Sequence, residues 1–374
     1  MSGMRILLLG SKEYPFHSGE GLESKPSGGI EVHVEKLAKY LALEGHKVFL
    51  ITRRFPGQQR LERLEKGKVT VLRVPFVNNM LLRTFTFNLF AFFRALGIAR
   101  TQKIDVIHCH AQVAGFFGFF LSKLTGKPVI YTPHGIAEGW NPPLRYLLHL
   151  FDRMAVKGSR KVLFISPRAR EVLGRHAKEE TLLTNAIDLD DYKAATAEER
   201  EGTRFLFAGR LVEEKGIPIL LQAFLKLQKD EPDAEMVIAG SGPFGKEIKS
   251  FTRRNPGLKI RFLGWRRDIP DLLSKTDAFV LPSQEKGQPI ALLEAMSAGK
   301  VVITSLPYIE DGKTGLAFKA KSVDGLYKRM LYVCRNRLEC GVIAADAKES
   351  VKNISWSTVV KDFLREYESA VRHG

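Results

Sequence analysis

Acidic residues are in short supply in this 374-residue sequence: 41 Asp and Glu stand against 58 Lys and Arg, a formal net charge of +17. The deficit is concentrated at the front, where residues 1–190 hold 16 acidic and 28 basic side chains, against 25 and 30 in the remainder. A front half of that sign suits an anionic partner, whether phosphates, nucleic acid or a lipid surface, or else it is a solvated Lys/Arg surface. Cysteine is scarce as well. Cys109, Cys334 and Cys340 are too few and too scattered for a disulfide framework or a structural zinc site, which favours a reducing compartment. Long apolar runs are also missing. The opening MRILLLG offers only the stretch from Ile6 to Gly10 before the polar SKEYP, which is not the pattern of a signal peptide. The nearest approach to a membrane segment is Met80 to Ala99, MLLRTFTFNLFAFFRALGIA. Arg83 and Arg94 interrupt it and Thr84, Thr86 and Asn88 lie between, so a spanning helix would bury two charges at several kcal/mol apiece. Two readings of the segment stand: an amphipathic anchor with phenylalanines in lipid and arginines at the headgroups, or a helix packed on a sheet or over a cleft.

What the sequence does contain is enough apolar material, 44%, for two cores. The length exceeds what one core usually serves, so two domains are expected. Short β-rich runs alternate with helical patterns: RILLL (5–9), KVFLIT (47–52), VTVLRV (69–74), DVIHCH (105–110), PVIYT (128–132) and KVLFIS (161–166). The clearest helix carries Ile30, Val34, Leu37 and Leu41 on one face and stops at Gly45. The pattern pauses over Leu189 to Gly202, LDDYKAATAEEREG, and restarts with RFLFAG (204–209), EMVIAG (235–240), KIRFLG (259–264), AFVLP (278–282) and KVVIT (300–304). Near-continuous apolar strands separated by helices predict parallel sheets covered on both faces. The expected fold is therefore α/β, two Rossmann-like doubly wound domains. The first spans 1–185 and the second 186–354. A last helix, WSTVVKDFLREYESAV, bears a stripe of Val359, Val360, Phe363, Leu364, Tyr367 and Val371 and could stay with the second domain or cross back to the first.

Open parallel sheets bind ligands at the carboxyl ends of their strands. After the first strand a long polar loop ends in Gly28 and Gly29 at a helix start, where backbone can approach an anion, or simply turn tightly. In the second half GRLVEEKG follows a strand; Arg210 and Lys215 beside Gly209 and Gly216 suit a diphosphate, against the reading of ordinary surface charges. AGSGP repeats the glycine-then-helix logic at Gly240. TPHG puts His134 just past a strand, where an imidazole can serve a developing charge. His108 and His110 share one strand face, and with no third ligand placed by sequence they read as a packed or hydrogen-bonded pair.

These stretches, together with SGGIEVHVEKLAKYLALEGHKVFLIT, DVIHCH, FAGRLVEEKGIPILLQAF, VIAGSGP, FLGW, DIPDLLSKTDAFVLPS and ALLEAMSAGKVVIT, resemble a group 1 (family 4) nucleotide-sugar glycosyltransferase in order and spacing over nearly the whole chain. The resemblance implies a GT-B architecture, with the acceptor on the first domain, which residues 355–374 rejoin, and the nucleotide sugar on the second. It implies retaining hexosyl transfer without an obligatory metal or other cofactor, and the cysteine count and opening residues make the cytoplasm the expected place. Arg210 and Lys215 would hold the donor diphosphate, Gly28 and Gly29 would approach it, Glu294 would bind the ribose, and His134 would sit beside the transferred sugar. Gly209 and Gly240 would flank the donor, as would Glu285, Lys286 and Gly287.

The sequence departs from that pattern in one corner. The family usually has a glutamate eight residues before the one in LLEAM; here that position is Lys286, with Glu285 one place early. Relatives also carry a longer loop where this chain reads SLPYIEDG, shorter by about five residues. Three readings follow: Glu285 reaches in by a register shift, Lys286 selects a donor with an acidic sugar, or the protein is a non-catalytic nucleotide- or glycan-binding homologue with a degenerate donor-sugar site. No basic helix or aromatic-basic platform resembling a known nucleic-acid-binding module is present, so a nucleic-acid partner is not expected. The Phe- and Arg-rich stretch from Pro75 to Phe120 points to a glycan or lipid-linked acceptor and to peripheral contact with an anionic membrane, on the inner face of the cell membrane.

Overall fold

The computed structural model describes residues 3–14, 29–79, 82–136, 142–192, 201–284 and 290–372. The chain divides into two compact units, 1–185 with 356–374, and 186–355.

In the first unit, β1 (Arg5–Leu9), β2 (Lys47–Arg53), β3 (Leu61–Leu64), β4 (Val69–Val74), β5 (Val106–His110), β6 (Val129–Thr132), β7 (Lys161–Phe164) and β8 (Glu180–Leu182) form one sheet in the order β3-β4-β2-β1-β5-β6-β7-β8. All pairings are parallel except β3 with β4. The two-residue period of a strand sends alternate side chains to opposite faces. Leu7, Leu9, Ile107, Cys109 and Tyr131 go to one face, into a core with Phe87, Ala91, Leu121 and Ala155. That face is covered by α2 (Arg83–Thr101), α3 (Gln112–Thr125) and α4 (Pro142–Gly158), which pack side by side. The opposite face carries α1 (Gly29–Leu43) and α12 (Trp356–Arg372). Helix α1 buries Val34, Leu37 and Leu41, and the chain turns out of it at Gly45 with φ +96°. Helix α12 therefore belongs to the first unit, where it buries Val359, Val360, Phe363 and Tyr367; Ala370 completes the stripe, and Val371 faces solvent.

The second unit is a six-stranded parallel sheet of β9 (Arg204–Ala208), β10 (Glu235–Ala239), β11 (Ile260–Gly264), β12 (Ala278–Leu281), β13 (Val301–Thr304) and β14 (Leu316–Ala317), in the order β11-β10-β9-β12-β13-β14. Its helices are α6 (Ile217–Asp230), α7 (Gly245–Arg254), α8 (Ile269–Ser274), α9 (Ile290–Ser297), α10 (Val323–Arg335) and α11 (Arg337–Val351); α5 (Pro167–Leu173) lies in the first unit. The inner strands β9, β10, β12 and β13 are buried on both faces, as near-continuous apolar runs require, while the edge strands β11 and β14 are partly exposed. Read from the first strand, the order is 3-2-1-4-5-6, so the direction of winding reverses between β9 and β12. The crevice outside the carboxyl ends at such a reversal is where open α/β sheets bind ligands. The first sheet has the same reversal between β1 and β5.

Candidate active site

The reversal in the first sheet gathers histidines. Gly10 follows β1 with φ +104°, and a Cβ there would lie 2.0 Å from the His110 carbonyl oxygen, so glycine is needed to let the two strand ends close. His110 is the last residue of β5, His134 follows β6, and His33 comes from α1. His110 Nδ1 lies 3.0 Å from His134 Nε2. The His33 ring meets that of His134 edge-on at 4.9 Å between centroids and that of Trp356 at 5.1 Å. Burial drives all three imidazoles neutral: His33 is lowered to about 4, and His110 and His134 well below the ordinary histidine value. Among the described residues, the Nε2 atoms of His33 and His110 are buried with no hydrogen-bond partner.

One nitrogen from each of His33, His110 and His134 lies within 4.8 Å of the others, a donor set that could take a divalent transition metal. By sequence His110 pairs with His108 on one strand face, with no third ligand in reach. In the structure the rings of His108 and His110 do pack, at 4.0 Å, but the nitrogens of His108 go elsewhere, to Tyr367 Oη at 2.7 Å and Thr132 Oγ1 at 2.8 Å. His33, on the flank of the α1 apolar stripe and 77 residues from His110, had no local signal to give it away. Directly after His110, Ala111 has φ 66° and ψ 163°, a region open almost solely to glycine. Of the glycine pair, Gly29 opens α1, where an added Cβ would meet none of the described residues within 4 Å. Gly28 lies outside the described residues.

In the second unit the expected residues cluster along the carboxyl edge of the sheet. Gly209 and Arg210 follow β9 directly; Lys215 ends a short 3-10 turn, and Gly216, with φ +71°, starts α6. A Cβ on Gly216 would lie 2.2 Å from the Pro282 carbonyl oxygen, so the turn bearing Lys215 is pressed against the loop after β12. That loop is tied down as Ser283 Oγ and the Gln284 N–H both donate to the Glu214 carbonyl, at 3.2 and 2.7 Å. Gly240 has φ +153°, and its Cβ would lie 1.9 Å from the Gly209 carbonyl oxygen. The Gly209 N–H donates to the Ala239 carbonyl at 3.0 Å, and the Leu211 N–H to Ser241 at 2.8 Å. Gly240 is thus required by the lacing of two strand ends, whereas a Cβ on Gly209 would meet only the Phe207 ring, at 3.7 Å. That same lacing fixes where Arg210 leaves the sheet.

Glu294 is on α9, half-buried, and Tyr192 Oη donates to its Oε1 at 2.6 Å. Tyr192 gives no signal in the sequence because it falls in the charged stretch where the strand–helix alternation pauses; its ring is buried against the second unit's core. Glu285, Lys286 and Gly287 lie outside the described residues. The shortened loop after β13 is closely held: Leu306 is buried and Ser305 Oγ donates to the Ser283 carbonyl at 2.8 Å.

Comparison with known proteins bears on the fold and the family. Residues 202–336 match the family described as Glycosyl transferases group 1, and residues 27–191 match Glycosyltransferase Family 4. A glycogen synthase of Mycobacterium tuberculosis is 27% identical over 99% of this chain and 95% of its own. The UDP-Gal:alpha-D-GlcNAc-diphosphoundecaprenol alpha-1,3-galactosyltransferase of Escherichia coli is 24% identical over 70% of this chain and 78% of its own. Among solved structures, sucrose-phosphate synthase from Thermosynechococcus elongatus superposes with a TM-score of 0.83 at 17% identity, covering 99% of this chain and 100% of that one. The two Rossmann-like sheets, the residues at their carboxyl edges and the family matches lead to one conclusion: the chain belongs to the group 1, family 4 glycosyltransferases and has their GT-B fold.

Proposed function

We propose that the chain transfers a hexose from a nucleotide-diphosphate sugar to a glycan or lipid-linked acceptor, with retention at the anomeric carbon and without a metal. The observation that carries this reading is the position of Arg210 and Lys215 at the winding reversal of the second sheet. A departing nucleoside diphosphate develops negative charge, and fixed cations aimed at it stabilise the transition state more than the ground state. Arg210 offers a planar fork and Lys215 a point charge, which together supply what a divalent cation would otherwise supply. Glu294, held by Tyr192, would accept hydrogen bonds from the ribose hydroxyls. His134, kept neutral by burial, can donate to or accept from a sugar hydroxyl without adding charge. The acceptor would bind the first unit, and the chain would work in the cytoplasm or on the inner face of the cell membrane.

A second reading rests on Lys286 and the short 305–311 loop, which alter the corner where the donor sugar would sit. In it the protein binds a nucleotide or glycan and transfers nothing. Nucleoside diphosphate release from UDP-, GDP- and ADP-sugars, sugar-acid donors included, separates the two. Wild type should release product with at least one donor, and Arg210→Ala should abolish it. No release with any donor by wild type, with release restored in Lys286→Glu, would establish the binder instead.

A further inference from the structure

Helices α2, α3 and α4 form the outer layer of the first unit, and their solvent side is unusual for a protein surface. Of the seventeen large apolar side chains exposed among the described residues, nine lie between Leu82 and Leu150. Phe93 is 61% exposed, Leu124 54%, Tyr146 68% and Leu150 53%. On α2 the exposed Phe85, Phe90 and Phe93 oppose the buried Ala91, Ala95 and Ile98, so the helix is apolar on both sides. On α4 the outward stripe passes from Tyr146, Leu147 and Leu150 to Arg153 and Lys157 at the helical spacing.

The charge on this layer has one sign. Between Lys66 and Arg170 the chain holds sixteen Lys and Arg and three acids. Asp105 is turned inward to accept from the Arg5 N–H at 2.7 Å, and Asp152 is fully buried against Tyr131. The third, Glu138, lies outside the described residues. A soluble surface mixes both signs and keeps apolar patches small. Aromatic rings interleaved with Arg and Lys, with no outward-facing acid among the described residues of the three helices, instead match the boundary between acyl chains and anionic headgroups. Among the described residues no helix is long and apolar enough to cross a membrane, so the contact is with one leaflet.

We propose that the α2–α3–α4 face docks on an anionic lipid bilayer, its phenylalanines and Tyr146 entering the acyl boundary while Arg94, Arg100, Lys123, Arg153 and Lys157 lie at headgroup level. This deepens the reading of a transferase with a lipid-linked acceptor and rests on that reading for the use of the contact, though not for the contact itself.

The test is cosedimentation of the whole chain with phosphatidylcholine vesicles, plain or containing phosphatidylglycerol, with nucleoside diphosphate release measured separately in the absence of lipid. Wild type should pellet with the anionic vesicles at low salt and stay in solution with the plain ones. Tyr146→Ser with Leu150→Ser, and independently Arg153→Glu with Lys157→Glu, should each lower partitioning roughly tenfold or more with an unchanged melting curve. Wild type left in the supernatant, variants that pellet like wild type, or a solution dimer that Tyr146→Ser with Leu150→Ser dissociates would each overturn the proposal. The last outcome would assign the face to a second copy. Docking lost while product release continues removes this inference alone; docking without release from any donor removes the transferase reading and leaves the surface.

Discussion

His110 Nδ1 and His134 Nε2 face each other at 3.0 Å, and because both rings are neutral the pair shares a single proton across that contact. If His110 donates, the proton of His134 is on Nδ1; if His134 donates, its Nδ1 is bare. The tautomer of one ring therefore dictates what the other can offer a ligand. His110→Ala should lower kcat about tenfold or more with a smaller change in KM, and His110→Asn, whose amide can still donate to His134, should recover part of it. Equal losses in both variants would mean that His110 acts through packing alone.

The same burial makes the fold sensitive to acid. His33, His108, His110 and His134 all have folded-state values below the unfolded one, so between the two the unfolded chain binds protons that the folded chain refuses. The stability they contribute is complete above about pH 6.5 and is lost as the pH falls below it, by up to about 1.4 kcal/mol per pH unit for each ring. Asp152, raised to about 7 by burial, runs the opposite way: its contribution is present below the ordinary carboxyl value and lost as the pH rises through 7. Four rings outweigh one carboxyl, so Tm should drop by several degrees between pH 7.5 and 5 in a thermal melt. A flat or rising Tm over that interval would contradict the assignment of neutral buried imidazoles.

Tyr192 is the support of Glu294. Tyr192→Phe removes a hydrogen bond to a carboxylate, an interaction of about 1.5–3 kcal/mol, and should raise the donor KM about tenfold while leaving kcat within a few-fold. Glu294→Ala should raise it at least as far, and the double variant should do little more than Glu294→Ala. Additive effects would show that the two side chains act independently.

Ala111 carries a conformation that costs an L-residue about 1–3 kcal/mol. Ala111→Gly should relieve it and raise Tm by about 2 °C or more, even after glycine's larger loss of backbone entropy. Activity should fall in the same variant, because the strained turn is what carries the chain from His110 into α3. A lower Tm would mean that the Ala111 methyl is supported by packing and the strain is already offset.

The parallel sheets were legible because burial on both faces writes itself as uninterrupted apolar runs: VTVLRV is β4 residue for residue, and DVIHCH differs from β5 by one position. The strands missed, β3 as LERL, β8 as ETL and the two-residue β14, are short and partly exposed, and their residues follow their neighbours rather than a pattern of their own. Placement at a strand end was legible where a residue follows an apolar run closely, as Arg210 and His134 do. A contact was illegible where the partner comes from far along the chain. Nothing local to GGIEVHVEKL says that His33 meets β5, and the polar letters around Tyr192 conceal a buried ring. Gly240 signals close approach, and among the described residues the backbone that approaches it is the protein's own, at Gly209.

The membership of α12 in the first unit has a consequence for synthesis. Residues 356–372 leave the ribosome only after all of 186–355, so the nascent first unit waits through the making of the entire second one with an open seam where Phe363 and Tyr367 will seat. Until then His108 lacks the Tyr367 hydroxyl that satisfies its Nδ1. Helix α12 is a latch made only after the second unit, and a chain cut short at residue 355 would carry a complete second unit beside a first one that lacks this helix.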